Sequence, residues 1–438
     1  MNVTTTELTG SGRPARAFPW LLVGLLFCSY LVAFIDRGLV SVAAAPIKQD
    51  LALGDAQLGL LLGPAFVVFF CLCGIPLGWL ADRWSRRGVL ALGVLLWSLM
   101  TALCGLAGSF GGFLAARLGV GLGEACLVPA GVSLIAQVTP GRHVGKALGV
   151  FLMGATCGNA AALLAGGRLL DAIAFAAGTS DGVLHLLAPW RTLFLLASLP
   201  GPVLAVAVMA LKEPPRAIAL EPLWPSLKAA FWNLARAKGS YGYLSVATAC
   251  IVGLAQVPVT WMPLYYVRAF GISAGTSAFL VGLMFLATAP TGQWLGSVLL
   301  DRMRNAGIVA APHLLQAVCA LACLPAAGIF CTSGHLGWCE AAFAAYNLVV
   351  FAATPAGLTG WRLLTPQKTM GLTIALLMSA VTLVSIGFGA AVVGGLNVFL
   401  FQSESALGWS LLVVITTAAI LGFSSAVMGR GPFTKDVR

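Results

Sequence analysis

Residues 78–87 read GWLADRWSRR, and this stretch decides the fold. It ends a long apolar run with Asp82, then Arg83, Arg86 and Arg87. A membrane helix that leaves the bilayer and turns into a short loop has this character. A related stretch, GSVLLDRMRN, returns at 296–305. The two Asp-Arg pairs begin at Asp82 and Asp301, half a chain length apart. A charged loop repeated at that interval among apolar segments implies a duplicated bundle of membrane helices.

Composition agrees. The 438 residues are 59% hydrophobic and 9% charged, where soluble domains carry about 25% charged residues. Mean hydropathy is +0.96. A spanning helix needs ~20 mostly apolar residues. Such stretches lie at 19–46, 57–81, 88–108, 112–138, 145–171 and 190–211, then at 241–267, 275–300, 309–331, 337–361, 369–397 and 407–428. They are continuously apolar rather than alternating, which argues against spanning strands. The expected fold class is all-α integral membrane, with twelve transmembrane helices in two pseudo-symmetric six-helix bundles. The expected divisions are a tail at 1–18, a first bundle at 19–211, a linker at 212–240, a second bundle at 241–428 and a tail at 429–438. Within the linker, WPSLKAAFWNLARAK reads as a short amphipathic helix on the inner membrane surface.

Most of the 25 lysines and arginines fall on alternate connections, among them Arg13, Arg16, Arg142, Lys146, Lys212, Arg216, Lys228, Arg304, Arg362, Lys368, Arg430 and Arg438. The positive-inside rule then places both termini and the linker in the cytoplasm of a plasma or bacterial inner membrane. It also accounts for the net charge of +11 without nucleic acid, since no aromatic-interleaved basic patch is present. Most of the 11 cysteines sit inside apolar helices, where Cys behaves as a small hydrophobe. No zinc spacing occurs, and neither metal nor cofactor is expected. Cys331 and Cys339 flank the loop CTSGHLGWC, where a disulfide is open if that side is oxidising. No GxxxxGK[ST] stretch points to ATP hydrolysis. The glycines of RLGVGLGEA imitate a dinucleotide loop, but they lie inside a span instead of after a strand. His143, His185, His313 and His335 share no helix face with a Ser or Asp, so they read as solvated or interfacial rather than catalytic.

GWLADRWSRR resembles the signature loop between helices two and three of the major facilitator superfamily. TPGRHVGKALGVFLMG resembles the next inner loop and fifth helix, and APWRTLFLLASLPG with LKEPPR the sixth helix and its exit. Within that superfamily, RLGVGLGEA at 117–125 and FIDRG at 34–38 resemble the Spinster-like transporters, linked to lysophospholipids and sphingosine-1-phosphate. The organic anion:cation symporters are less similar. The resemblance implies that the loop holds the two halves together when the inside is shut. Gly78, Asp82, Arg83, Arg86 and Arg87 would form this cytoplasmic gate, with Asp301 and Arg302 as a weaker second copy. That copy has Ser297 in the place of Gly78 and lacks the paired arginines.

Charges inside the bilayer cost several kcal/mol unless paired or wet, so each is a functional candidate. Four lie deep: Asp36, Arg37, Arg117 and Glu124. At 1.5 Å per residue, Asp36 sits ~24 Å above the inner end of helix one. Arg117 sits ~22 Å above the inner face of a ~30 Å core. Helices one and four both line the cavity in the resembling fold, so Asp36 is expected to pair with Arg117. Glu124 follows Arg117 by two turns, on the same face.

Arg117 would bind an anionic headgroup, and Asp36 would carry a coupling proton, with Glu124 as the alternative proton site. The rival reading is a structural salt bridge. Arg37 reads either as a second cavity charge or as a snorkelling residue. In the second half, Gln256, Thr260, Trp261, Tyr265 and Asn347 are the cavity candidates. Pro258 and Pro263 are expected to break helix seven near its outer half.

The expected activity is secondary transport of a small amphipathic or anionic organic solute, such as a lysolipid, coupled to protons. The partners are that solute, protons and membrane lipids, and the chain is expected to act as a monomer. Alternatives are an organic anion symporter, a drug or metabolite exporter, a receptor without flux, and a lipid-acting enzyme.

Overall fold

A computed structural model describes residues 18–139, 141–179, 187–211, 223–366 and 369–437. Arg13, Arg16, Lys212, Arg216, Lys368, Arg438 and His185 lie outside them, as do the side chains of Asp82, Arg142 and His143. No strand occurs among the described residues.

Twelve helices are long and apolar enough to cross a membrane. In chain order spans 1–6 are Trp20–Val42, Asp55–Ala81, Arg86–Leu106, Phe110–Ile135, Lys146–Ala177 and Pro189–Ala210. Spans 7–12 are Lys238–Phe270, Ala274–Asn305, Ala311–Thr332, Leu336–Leu364, Leu372–Phe401 and Glu404–Val437. The chain is an all-helical integral membrane protein of two six-helix bundles.

Local chemistry starts and stops the helices. Ser85, Ser109 and Ser273 sit at helix N-caps, and their hydroxyls accept from the amides of Gly88, Gly112 and Thr276. Each occupies an amide with no intrahelical partner. Span 7 stops at Gly271, whose φ of 65° is a left-handed cap that glycine adopts without strain.

Three expectations need correction. Span 7 is not broken by Pro258 and Pro263; the helix runs unbroken over Lys238–Phe270. Pro258 has no N–H for the carbonyl of Leu254, and the Tyr346 hydroxyl donates to that carbonyl instead at 2.8 Å. Ser277 Oγ donates to the Pro263 carbonyl itself at 2.5 Å. The last helix does not end at 428 but continues to Val437. Phe433 is buried against the ring of His313, with centroids 4.8 Å apart, and Ser240 donates to Asp436 at 2.6 Å. His313 is therefore a buried packing residue, not an interfacial one.

The halves touch closely at one end, which we call the Asp55 end. A Cβ on Gly59 would meet the carbonyl of Ala390 at 2.8 Å, so spans 2 and 11 pack backbone to backbone there. Spans 5 and 8 do the same at Gly167 and Gly275, where Asp171 accepts from Ser273 at 3.0 Å. Short π-helical segments interrupt span 5 at Ala162–Gly166 and span 11 at Leu383–Phe388. Both lie where these spans border the central cavity, since Leu163 and Ile386 line it.

Candidate functional site

A cavity of about 270 Å³ lies between the halves. Spans 1, 2, 4 and 5 supply Tyr30, Phe34, Arg37, Phe66, Phe70, Arg117 and Asn159. Spans 7 and 11 supply Gln256, Thr260, Thr382 and Ile386.

The four deep charges gather on the wall formed by the first half. Asp36, Arg117 and Glu124 are buried, and Arg37 keeps 20% side-chain exposure towards the cavity. The expected Asp36–Arg117 pair is not formed. Arg37 takes the ion pair instead, with Nε donating to Glu124 Oε2 at 2.7 Å. Asp36 accepts from the Thr101 hydroxyl of span 3 at 3.0 Å. One residue of helix turns a side chain by about 100°, so Asp36 faces span 3 while Arg37 faces span 4.

Arg117 is left with its Nε unpartnered. Asp36 Oδ1 and Glu124 Oε1 are unpartnered too. Aromatic rings stand where anions otherwise would: the Arg37 guanidinium lies 4.4 Å from the Phe34 and Phe66 centroids and 4.6 Å from Phe70. Arg117 lies 5.3 Å from Phe66. Such faces attract a cation without neutralising it. The wall thus presents two guanidiniums, one of them lacking an acidic partner, to a space lined by aromatic and aliphatic side chains and by the polar Ser41, Asn159, Gln256, Thr260 and Thr382.

Among the candidates from the second half, Gln256 and Thr260 line the cavity. Trp261, Tyr265 and Asn347 are buried outside its lining. Tyr265 serves packing, donating to the carbonyls of Phe330 and Cys331 at 3.3 and 3.2 Å. Cys331 and Cys339 are free, buried thiols. Asn159 went unread in the sequence, although a lone amide inside an apolar span carries the same signal as Asn347. Tyr30, Phe34, Phe66 and Phe70 gave no signal, because an aromatic in a span reads as lipid-facing or core.

The signature loop sits at the opposite end from Asp55. Gly78 packs on Pro129 of span 4, where an added Cβ would come within 3.0 Å. Arg83 is exposed and lies over Trp79 at 4.4 Å. Arg86 is buried and donates to Gln137 at 2.5 Å, and Arg87 donates to the Leu211 carbonyl at 2.6 Å. These contacts tie the first half to itself. Asp301 and Arg302 are exposed at the end of span 8.

A second cluster, at the Asp55 end, was not anticipated. Asp55 is buried and accepts from Arg268 of span 7 at 2.6 and 2.8 Å and from Asn397 of span 11 at 2.5 Å. Lys48 lies 2.7 Å from Asp55 and 2.5 Å from Glu404. Nearer the cavity, which both residues line, Ser41 donates to the Thr260 carbonyl at 2.5 Å. Among the described residues, the ion pairs that cross between halves are both here. The cavity is sealed on this side.

Twelve spans in two halves around a charged cavity, sealed at one end, is the architecture of an alternating-access carrier. A sequence model of the Major Facilitator Superfamily matches residues 26–390. The chain belongs to that superfamily. An MFS-type efflux pump of Mycolicibacterium smegmatis is 30% identical over 291 residues, 66% of this chain and 64% of the pump. A probable L-galactonate transporter of Escherichia coli is 26% identical over 344 residues, 75% of this chain and 68% of that protein. The matched stretches therefore span about two thirds of these relatives. The crystal structure of a bacterial homologue of the human lysosomal transporter Spinster, inward-facing and unoccupied, superposes with a TM-score of 0.83. It is 24% identical and covers 97% of this chain and 99% of its own. The superfamily relatives and the fold are those of transporters, not enzymes.

Proposed function

We propose that the chain is a secondary active transporter for an anionic or amphipathic organic solute, with the anionic group seated on Arg117. The observation that carries this reading is the buried Arg117 guanidinium, with an unpartnered Nε and no acid in ion-pair contact, on the wall of a cavity between the halves. A structural arginine at this depth would be expected to have its acid beside it. A carboxylate or phosphate from a solute supplies that partner. The rings of Phe34, Phe66 and Phe70 with Leu62, Val67 and Ile386 suit an apolar body or tail, as in a lysolipid, and Asn159, Gln256 and Thr260 add polar contacts.

Protons are the proposed coupling ion. Asp36 and Glu124 sit beside the two arginines with one oxygen each unpartnered, so solute arrival competes with their charge. Both termini are read as cytoplasmic, and the Asp55 end as the outer face. The structure then corresponds to a carrier shut to the outside. Gly78, Asp82, Arg83, Arg86, Arg87, Asp301 and Arg302 would close the other end in the return state. The chain would work as a monomer, since each half completes the other's cavity wall.

A small organic anion is the second reading, favoured by the likeness to the probable L-galactonate transporter. One screen separates the two. Purified protein is heated with lysolipids, organic acids and neutral drugs in turn, and any stabilising compound is tested for counterflow in proteoliposomes. Stabilisation by anionic compounds, lost in Arg117→Ala, supports the site. Stabilisation by neutral drugs alone overturns it. Binding without counterflow identifies a receptor.

A further inference from the structure

The linker helix Leu223–Arg236 lies outside all twelve spans, yet it carries the most exposed aromatic face in its region. Trp224, Phe231 and Trp232 are 78%, 58% and 62% exposed. At about 100° per residue they share one face with Lys228, and Arg236 flanks it. Lys228 and Arg236 are also exposed. The opposite face is docked: Ala230 is buried, and Asn233 donates to Thr369 at 2.6 Å, just before span 11. This helix therefore has a fixed back and an apolar front.

Exposed aromatics within a span need no explanation, because lipid covers them. These do, since ordinary water would surround them. The helix joins the end of span 6 to the start of span 7, so it lies at the end bearing the signature loop. Exposed Trp20, Trp79 and Trp84 belong to the same end. Tryptophans favour this interfacial zone, where an apolar ring meets a wet headgroup.

We propose that this face inserts into the adjoining leaflet and selects anionic phospholipid, with Trp224, Phe231 and Trp232 in the acyl boundary and Lys228 and Arg236 on headgroup phosphates. A helix with aromatics on one face and basic residues beside them binds in this way. Basic side chains near a negative leaflet add to the attraction. The helix is bonded to the start of span 11 and continues into span 7, and both line the cavity. The proposal stands apart from the identity of the solute.

The test is hydrogen–deuterium exchange of the full chain in nanodiscs of phosphatidylcholine, with and without phosphatidylglycerol. Exchange over 223–236 should slow roughly tenfold when the anionic lipid is added, while exchange in the spans stays unchanged. Lys228→Gln with Arg236→Gln should abolish that difference and keep the protection seen in phosphatidylcholine. Trp224→Ser with Trp232→Ser should lose protection in both lipids. Span exchange in each variant reports whether it is folded. Equal exchange in both lipids, or protection that survives the tryptophan changes, overturns the proposal. So does a face left unprotected in discs and covered only by an added protein.

Discussion

Arg37 Nε lies 2.7 Å from Glu124 Oε2, while Asp36, the preceding residue, is held by Thr101. Two adjacent charges on span 1 thus serve different neighbours. The Arg37–Glu124 pair joins spans 1 and 4 at the cavity wall, with the Glu124 side chain fully buried. Removing one member of such a pair leaves the other charge buried and costs about 3–5 kcal/mol. Arg37→Ala should therefore lower the thermal unfolding midpoint of the purified protein clearly. Adding Glu124→Gln to Arg37→Ala should recover most of the loss. If the double variant is as unstable as the single one, the pair is not what holds these spans together.

Arg117 predicts the opposite sign. Its Nε has no partner, and its burial is a cost borne without a matching ion pair. Replacement by Met keeps much of the side-chain volume and removes the charge. Arg117→Met should leave the unliganded midpoint unchanged or raise it, since a buried unpaired charge is unfavourable. It should also abolish stabilisation by anionic solutes. Arg117→Lys should recover only part of that binding, because a point charge replaces a planar fork. A large fall in unliganded stability for Arg117→Met would mark Arg117 as a structural residue instead.

The twelve spans were legible because the bilayer imposes a length and a composition that soluble folding does not. The site was legible only in part, and Asp36 shows why. Helix rise gives the depth of a residue, so Asp36 and Arg117 could be put at one height. Rise says nothing of which neighbour a side chain faces, and one step along span 1 exchanged the partner. Asp55, Arg268 and Glu404 show a different limit. Charges at helix ends look alike whether they meet solvent or one another, and their pairing spans 213 positions for Arg268 with Asp55 and 136 for Arg268 with Glu404. A single sequence read by itself cannot join such distant residues. Trp261 and Asn347 failed as cavity residues for a third reason: a polar atom in a span marks a need for a partner, not the direction in which it lies.

Asp36 is the proposed proton carrier, with one oxygen bonded to Thr101 and the other unpartnered. Asp36→Asn keeps the shape and an acceptor for Thr101 while removing the titrating group. Counterflow, which exchanges solute without net proton movement, should continue. Uphill transport driven by a proton gradient should stop. The measurement is uptake into proteoliposomes with and without an imposed pH difference. Gradient-driven transport that survives in Asp36→Asn shifts the role to Glu124, and survival in Glu124→Gln as well would leave neither acid as the coupling site.

The sealed end should be held by Asp55. Its carboxylate takes Arg268, Lys48 and Asn397 together, and two of those come from the other half. Asp55→Asn keeps the size but removes the charge that two cations share. It should shift the equilibrium between sealed and open by about tenfold or more, since a partly buried ion pair is worth at least ~1.4 kcal/mol here. Pulsed electron-resonance distances between genetically encoded labels on spans 2 and 11 would report the shift as a longer-distance population. Exchanging the charges, Asp55→Arg with Arg268→Asp, should restore part of the sealed population, because the pair is rebuilt in reverse. Lys48 would then face an arginine, so the rescue should stay incomplete. Distances unchanged in Asp55→Asn would mean that the backbone packing of Gly59 on Ala390 and Gly167 on Gly275 seals this end by itself.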